Sequence, residues 1–424
     1  MKLMRPHQYA GQLWLRANRR GICADEMRLG KSFTAAWAVH GEGAGIVGCP
    51  ASAKTIWRDE FLSVNPDLKI DIVKGRSHSF MYNADVYIAN YDIIPDNFDR
   101  FPKRAKGNWT IADEFHRLKN PEARRTGAMQ ALIRNSRIAH PLSGTPMPSR
   151  PIEWWPVLNA LGVTKLDWTG FAKRYCAAWP APWGEATVIN PFALDARGAA
   201  NLDELAALLA PHVLRRTKTQ VIEGYVAPEI RLFTFDRPKD ARESAFTPEV
   251  LRQFENPLLS LEGLSEVVKQ SALKKIPDCI EFIEDRLNEE PKVIVFFYHK
   301  DIGKILEESL APYKPVRVDG TVSTTGRDNA VKAFRENPEV RVFLGNILAA
   351  SEALDLSVAD VSIFVQTTWV PSDILQAIQR TESMKKIGTQ SAAYLLTTEN
   401  SIDHLMLSKN LSKIETINQV LGHP

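Results

Sequence analysis

A short apolar segment, Gly21–Ala24, runs into a loop that ends in Gly30, Lys31 and Ser32 at the predicted start of a helix. Backbone N–H groups at a helix N-terminus point at an anion, while a Lys and a hydroxyl placed here reach phosphate oxygens and Mg²⁺. The full phosphate-loop pattern has Gly at position 25, where this chain has Asp25. We therefore predict that Gly30, Lys31 and Ser32 bind nucleotide phosphates, with Ser32 also at the metal. An ordinary strand–helix turn is the alternative.

A pair of acids follows a second apolar segment. Asn108–Ala112 is typical of a buried strand, and Asp113 and Glu114 come directly after it. The distance from the loop, about 80 residues, fits several βα units. Hydrolysis of a Mg²⁺–nucleotide needs a carboxylate near the metal and a group that orients the attacking water. We predict these roles for Asp113 and Glu114 respectively. A helix-capping pair is the alternative.

Composition limits the class of protein. The 424 residues predict two or three domains, and a hydrophobic fraction of 44% is ample for folded cores. The four cysteines lie far apart without a CxxC pair, which argues against zinc and a disulfide framework. We find no signal-peptide pattern and no run of 18 apolar residues. We expect a soluble protein of the cytoplasm, or a viral protein that acts in a host cytoplasm.

The net charge of +3 gives no general attraction to nucleic acid, although basic residues cluster locally. Such runs usually form solvated faces, and contact with phosphate is the alternative. The clusters are Arg100, Lys103, Arg104 and Lys106; Arg117, Lys119, Arg124 and Arg125; and Arg215, Arg216 and Lys218.

Apolar strands alternate with helical segments in two regions, which predicts an α/β fold with two parallel sheets. The first region has candidate strands at Gly21–Ala24, Gly45–Cys49, Val86–Asn90, Trp109–Ala112 and Ile138–Leu142. The second has them at Val293–Tyr298, Val316–Val318, Val340–Gly345, Val361–Gln366 and Ala392–Leu396. We predict a first lobe over residues 1–150, a helical insert and linker over 151–285, and a second lobe with a C-terminal helix over 286–424.

Helical periodicity marks parts of the insert and the end of the chain. It covers Asn201–Ala210, Leu261–Leu287 and Ser401–Leu421, whereas Trp179–Trp183 is an irregular, turn-rich patch. Two similar α/β units on either side of an insert allow one unit to complete a nucleotide site held by the other.

Sequence blocks along nearly the whole chain resemble those of SWI/SNF-type ATPases of helicase superfamily 2. The annealing-helicase subgroup and compact phage-like relatives are the most similar. The first lobe carries Met4–Gln8, Asp25–Ser32, Gly48–Ser52, Asn90–Tyr91, Asp113–Asn120 and Leu142–Pro146. The remaining blocks are Phe171–Cys176, Pro182–Gly184, Asn201–Leu205, Val213–Lys218, Lys292–Phe296, Val316–Gly320, Trp369–Pro371 and Gln376–Arg380.

The resemblance implies a DNA-dependent ATPase with two RecA-like lobes that uses ATP and Mg²⁺ and tracks along duplex DNA, with fork remodelling or annealing as the finer activity. It implies that Gln8 reads adenine and that Arg380 acts from the second lobe on the triphosphate held by Lys31. His116 would link the acidic pair to the coupling loop Leu142–Pro146, and a buried structural histidine is the alternative.

The same resemblance implies double-stranded or branched DNA as the partner of a monomeric motor, with any protein partner unidentified. Ser52, Lys54, Thr145 and Trp369 are the predicted DNA contacts. Trp369 as a core or interface aromatic, and Thr145 in a plain strand-end turn, are the alternatives.

Several positions depart from the family pattern. Arg28 stands where most members have Gly, and Ser351 and Ala353 occupy usual glycine positions. Arg380 is present, but Ser383 replaces a second arginine that normally stabilises charge on the γ-phosphate. Lys385 or Lys386 could substitute, although a lysine lacks the bidentate fork of arginine.

These departures leave two other functions open. One is a DNA-binding clamp in which hydrolysis is weakened, favoured by Ser351, Ala353 and Ser383. The other is a strand-separating helicase or RNA-directed ATPase of the same superfamily.

Overall fold

The computed structural model describes residues 3–180, 186–236, 261–350, 354–381 and 390–421. Two compact units divide the chain, one formed by residues 1–221 with 415–424 and the other by residues 222–414. The domain limits predicted at residues 150 and 285 stay predictions. Several predicted features lie outside the described residues, namely the block Pro182–Gly184 and the positions Ser351, Ala353, Ser383, Lys385 and Lys386.

A parallel sheet forms the centre of the first unit. Its strands are β1 (Ile22–Cys23), β2 (Gly45–Cys49), β3 (Ile70–Ile72), β4 (Val86–Asn90), β5 (Trp109–Asp113), β6 (Ile138–Leu142) and β9 (Val213–Leu214). Within the described part of this unit they adopt the order β3–β4–β2–β5–β6–β1–β9. Leu142 is in register with both Asp113 and Cys23, so the carboxyl ends of β5, β6 and β1 lie side by side.

Helices cover both faces of this sheet. Adjacent β2 residues, Ile46 and Val47, belong to two different apolar clusters, as expected for a sheet buried on both sides. The helices are α1 (Pro6–Ala17), α2 (Lys31–Val39), α3 (Lys54–Val64), α4 (Ile94–Asn97), α5 (Lys103–Lys106), α6 (Arg124–Asn135), α7 (Trp155–Leu161), α8 (Trp168–Tyr175), α9 (Leu202–Leu209) and α10 (Lys218–Val221). A small antiparallel ribbon joins β7 (Trp179–Pro180) to β8 (Leu194–Asp195).

The second unit repeats the design with a parallel sheet of its own. Its strands are β10 (Glu229–Phe235), β11 (Val293–Phe297), β12 (Val316–Val318), β13 (Val342–Asn346), β14 (Val361–Phe364) and β15 (Ala392–Thr398). Their order among the described residues is β10–β15–β14–β11–β13–β12. The helices are α11 (Leu261–Glu289), α12 (Lys300–Ser309), α13 (Thr324–Glu336), α14 (Ile347–Ala350), α15 (Pro371–Thr381) and α16 (Ile402–Leu421), whose residues from 415 onward belong to the first unit.

The predicted α/β class with two parallel sheets is confirmed, and every candidate strand corresponds to an observed one within a few residues. The sequence analysis missed five strands: β3, the two strands of the β7–β8 ribbon, β9 and β10. The patch interpreted as irregular therefore contains a strand, Trp179–Pro180. The missed strands are short or exposed, and the hydrophobic periodicity of such segments is weak. In the parts of the chain that are described, no helix combines the length and apolar character needed to cross a membrane.

The buried side chain of His140, in β6, makes the stability of the first unit depend on pH. Its Nδ1 lies 3.1 Å from the carbonyl oxygen of Gly21. Burial lowers the pKa of His140 from 6.5 to about 4, so the folded protein holds the neutral ring. Above pH 6.5 the His140 ring is neutral in both the folded and the unfolded protein, so it adds no pH dependence to the free energy of unfolding. Between pH 6.5 and 4 the unfolded chain binds a proton at this ring and the folded protein does not, so a lower pH favours the unfolded state.

We expect the free energy of unfolding to fall by about 3 kcal/mol through this histidine as the pH drops across that interval. Urea denaturation at several pH values measures it. A His140→Asn variant should show a shallower pH dependence than the wild-type protein, while exposed His404→Asn should match the wild type. Equal slopes in all three proteins would show that His140 does not contribute.

Candidate active site

Gly30 closes the loop between β1 and α2 in a conformation that requires glycine. Its φ of +82° lies in the left-handed region, and a Cβ added there would come within 2.2 Å of Gln8 Nε2. Helix α2 begins at the next residue, Lys31. The loop therefore brings backbone N–H groups of a helix N-terminus to the carboxyl end of the sheet, as the phosphate-site prediction requires.

Lys31 lies among the acids of the site. Its side chain is buried, and Nζ donates to the backbone carbonyl of Glu26 at 3.3 Å. A Cβ added at Gly144, in the loop after β6, would lie 3.2 Å from the same Nζ. Burial acts to raise the pKa of both Asp113 and Glu114, and the positive charge of Lys31 opposes that rise in both. The structure thus brings together Lys31 and the two acids that the sequence predicted as its partners.

Asp113 is the last residue of β5 and is buried. Its Oδ2 accepts a hydrogen bond from Trp57 Nε1 at 2.8 Å. Burial raises the pKa of Asp113, and the adjacent charge of Glu114 raises it further, against smaller opposing effects of Trp57 and Lys31. A buried carboxylate beside a second carboxylate is stabilised by a bound cation, which fits the predicted metal role.

Glu114 occupies a strained position at the turn after β5, with a φ of +53°. Its Oε2 accepts from Ser143 Oγ at 3.2 Å and lies 3.3 Å from His116 Nδ1. Burial raises the pKa of Glu114, but His116, Lys31 and Ser143 outweigh burial and lower it. A carboxylate with a lowered pKa keeps its charge and is better suited to orienting water than to holding a proton.

His116 joins the acidic pair to the loop after β6. Its Nδ1 lies 2.9 Å from Ser143 Oγ, and this hydroxyl also bonds Glu114. Ser143 Oγ accepts a third hydrogen bond, from the backbone N–H of Thr145 at 3.1 Å. The geometry matches the predicted link between the acidic pair and Leu142–Pro146.

Gln8 contacts the predicted phosphate loop, Asp25–Ser32, and Ser32 is the last residue of that loop. Gln8 Nε2 donates to the Leu29 carbonyl at 3.2 Å, and its Oε1 accepts from the backbone N–H of Arg5 at 2.9 Å. In this structure Gln8 therefore supports the loop, and its contact with adenine stays a prediction. Ser32 is the second residue of α2 and is partly exposed, next to Lys31.

The predicted DNA contacts of the first unit lie on two segments. Ser52 is exposed in the 3₁₀ turn Ala51–Ala53 that precedes α3. Lys54 begins α3, and its Nζ donates to the Val73 carbonyl at 3.2 Å and to Asn90 Oδ1 at 3.3 Å. Thr145 is partly exposed in the loop after β6. Their contact with DNA stays a prediction.

Two predicted site residues belong to the second unit. Trp369 is half-buried and packs against a small cluster of Val268, Ile402 and Met406, which agrees with the alternative of a structural aromatic. Arg380 is near the end of α15 and is half-buried. The roles of Trp369 at DNA and of Arg380 at the triphosphate stay predictions.

Arg28 adopts the conformation that a glycine would adopt more easily. Its φ is +67°, in the left-handed region, where a non-glycine residue costs about 1–2 kcal/mol. The departure noted in the sequence therefore places strain inside the phosphate loop.

Three basic residues, interpreted from the sequence as a solvated face or a phosphate contact, instead hold the phosphate loop. Arg216 forms an ion pair with Asp25, and Lys218 Nζ lies 3.3 Å from Glu26 Oε1 with its side chain fully buried. Arg215 Nη1 donates to the carbonyls of Ala24 and of Gly144, the latter at 3.0 Å.

The position of Asp25 in place of a phosphate-loop glycine is explained by this ion pair. The sequence contained an indication of this pairing. Asp25 and Glu26 need cationic partners where the loop is shielded from water, and three cations follow the apolar pair Val213–Leu214. Asp25 and Arg216 are 191 residues apart in the chain, so no local sequence pattern predicts that they pair.

The donor set fits Mg²⁺ and a triphosphate. Among the described residues, no group of three or more His, Cys, Asp or Glu side chains is placed to hold a metal ion. Mg²⁺ typically takes one or two carboxylates together with substrate phosphates and water. Asp113 and the Ser32 hydroxyl would hold the metal, and Lys31 with the N-terminus of α2 would hold phosphate.

Two protein-family models match most of the chain, between residues 7 and 385. Residues 7–281 match the SNF2-related domain, and residues 273–385 match the helicase conserved C-terminal domain. A solved structure, the Sulfolobus solfataricus SWI2/SNF2 ATPase core in complex with dsDNA, aligns over 100% of this chain and 98% of its own, with a TM-score of 0.44 and 19% identity.

Curated relatives show similarity over nearly the full length of this chain. The human DNA annealing helicase and endonuclease ZRANB3 is 28% identical over 95% of this chain and 39% of its own. The SWI/SNF-related matrix-associated actin-dependent regulator of chromatin subfamily A-like protein 1 is 30% identical in Bos taurus, over 94% of this chain and 43% of its own. Its Drosophila melanogaster counterpart is 26% identical, over 98% and 55%. The chain thus spans 39–55% of the length of these relatives.

Proposed function

Since the chain belongs to the SNF2-related family, we propose that it is a DNA-dependent ATPase of helicase superfamily 2 that translocates on or remodels double-stranded DNA. The observation that carries this proposal is the convergence of Lys31, Asp113 and Glu114 at the carboxyl end of the first sheet. Ligands of open α/β sheets bind at this edge.

Each side chain has a defined task in hydrolysis. Lys31 and the N-terminus of α2 would bind the phosphates, and Ser32 and Asp113 would hold Mg²⁺, which would supply positive charge to the phosphate oxygens. Glu114 accepts a hydrogen bond from the attacking water and orients it, since its charge is kept by His116 and Ser143. Arg380 is our candidate for the cation that stabilises charge on the γ-phosphate, and Gln8 for the adenine contact.

The Ser143 hydroxyl connects the predicted hydrolytic residues with the predicted DNA contact Thr145. It contacts Glu114 and His116 on one side and the backbone of Thr145 on the other. We assign Thr145, Ser52 and Lys54 to the DNA backbone, because such contacts come from polar and basic groups and carry no sequence information. Trp369 is the candidate contact of the second unit.

The finer activity is fork remodelling or annealing of branched DNA, which is in keeping with the annealing helicases among the relatives. We also propose that the protein acts as a monomer in the cytoplasm, its own or that of a host cell. The four cysteines are all free and buried, which suits a reducing compartment. A phage or prokaryotic source stays a prediction from the sequence.

Phosphate release with a panel of nucleic acids tests the function. At equal nucleotide concentration and fixed salt, we expect duplex and forked DNA to stimulate ATP hydrolysis more than single-stranded DNA or RNA. Equal rates with and without nucleic acid would instead identify a DNA-binding clamp. Greatest stimulation by single-stranded DNA or by RNA would identify a strand-separating helicase or an RNA-directed ATPase.

A further inference from the structure

Two buried donors from outside the phosphate loop converge on Asp113. The indole of Trp57 donates to Asp113 Oδ2 at 2.8 Å, and the hydroxyl of Tyr91 donates to the backbone carbonyl of Asp113. Both donor side chains are buried. Asp113 is therefore held at its carboxylate and at its main chain by two separate elements.

Both donors lie close to the segment that carries the predicted DNA contacts Ser52 and Lys54. Trp57 lies in α3, one turn after Lys54, and Tyr91 directly follows Asn90 at the end of β4. Lys54 Nζ lies 3.3 Å from Asn90 Oδ1, so the two segments are also joined to each other. A ligand that displaces both segments would therefore act on both donors of Asp113.

The indole has little freedom to adjust on its own. Trp57 is fully buried, its ring centroid lies 5.8 Å from that of Phe61, and Phe61 stacks on Trp109 at 5.8 Å. Close-packed interiors transmit small shifts because they cannot deform continuously. Movement of α3 would therefore reach the carboxylate of Asp113.

We propose that Trp57 and Tyr91 are positioning residues, which hold Asp113 for Mg²⁺ and make its placement depend on DNA bound at the segment Ser52–Lys54. The inference rests on the function proposed above. Removing a hydrogen-bond partner of a metal-binding group commonly costs about 10–100-fold in metal affinity or activity.

The test separates metal binding from nucleotide binding. A fluorescent, non-hydrolysable ATP analogue is titrated with Mg²⁺ present and with Mg²⁺ chelated, and the ratio of the two dissociation constants measures the contribution of the metal. In Trp57→Phe, which keeps a ring but loses the donor, we expect this contribution to fall about tenfold. A general loss of structure weakens both constants and leaves their ratio unchanged.

Matched variants are available in the same unit. Trp155 is buried outside the Trp57–Phe61–Trp109 stack, and its Nε1 donates to the Leu166 carbonyl at 3.0 Å. Tyr87 is a buried strand residue of β4 whose hydroxyl donates to the Met81 carbonyl at 2.8 Å. Trp155→Phe and Tyr87→Phe should keep the wild-type ratio, whereas Trp57→Phe and Tyr91→Phe should both lower it.

Repeating the titrations with duplex DNA tests the second half of the proposal. We expect DNA to change the Mg²⁺ contribution in the wild-type protein and to change it less in Trp57→Phe, since coupling between two sites is reciprocal. Unchanged ratios in Trp57→Phe and Tyr91→Phe, equal losses in the control variants, or a wild-type ratio insensitive to DNA would each overturn the inference. A wild-type protein that binds no Mg²⁺–nucleotide would instead overturn the proposed function.

Discussion

The Lys31→Ala variant should lose ATP hydrolysis while it retains most of its DNA binding. The Lys31 ammonium is buried beside Asp113 and Glu114, at the N-terminus of α2, where phosphate charge must be neutralised. Loss of one preorganised charge of this kind typically costs about 10²–10³ in kcat, and weaker nucleotide binding adds to that loss. Steady-state phosphate release with saturating duplex DNA measures the effect, and fluorescence anisotropy with labelled duplex measures DNA binding.

Lys165→Ala is the matched control, because it removes one exposed lysine from the same unit. It should hydrolyse ATP at the wild-type rate. Wild-type hydrolysis by Lys31→Ala would show that the nucleotide is bound elsewhere. The midpoint of thermal unfolding shows whether Lys31→Ala also destabilises the fold. Lys31→Met keeps the length of the side chain without its charge, so it separates loss of the charge from loss of packing.

The Glu114→Gln variant should bind ATP and fail to hydrolyse it. Gln keeps the size of the side chain and an oxygen for Ser143, but it lacks the negative charge that orients water. The expected fall in the single-turnover rate is about 10²–10⁴-fold, the range for loss of a positioned acid–base group. Binding of a fluorescent ATP analogue should change much less.

Glu122→Gln makes the same substitution at an exposed position eight residues further along the chain and should be neutral. A Glu114→Gln variant with wild-type turnover would transfer the water-orienting role to another group. A variant that no longer binds nucleotide would show that Glu114 supports the phosphate loop rather than the chemical step. The two experiments together distinguish the phosphate-binding lysine from the hydrolytic acid.

The sequence analysis located the local elements of the site correctly. Gly30, Lys31 and Ser32 lie at the start of a helix, and Asp113 and Glu114 lie at and just after the end of a buried strand, as the sequence predicted. A strand buried on both faces is a continuous apolar run, and a phosphate loop is a contiguous segment, so both can be recognised within a dozen residues.

The partners of these residues could not be found in the same way. Trp57 bonds Asp113 across 56 residues, and Arg216 pairs with Asp25 across 191. Arg215, Arg216 and Lys218 reach the phosphate loop because β9 pairs with β1. That pairing depends on which edge of the sheet a two-residue strand joins, and so short a strand carries almost no periodic signal.

By itself the sequence determined the two parallel sheets, the helix that begins after Gly30 and the strand that leads to Asp113, because each follows from apolar runs and residue types close together in the chain. Only the tertiary structure decided which side chains hold those groups in place. Hydrogen bonds and ion pairs between distant residues form once the strand order is set, and burial then leaves each polar group with the partner that the packing provides.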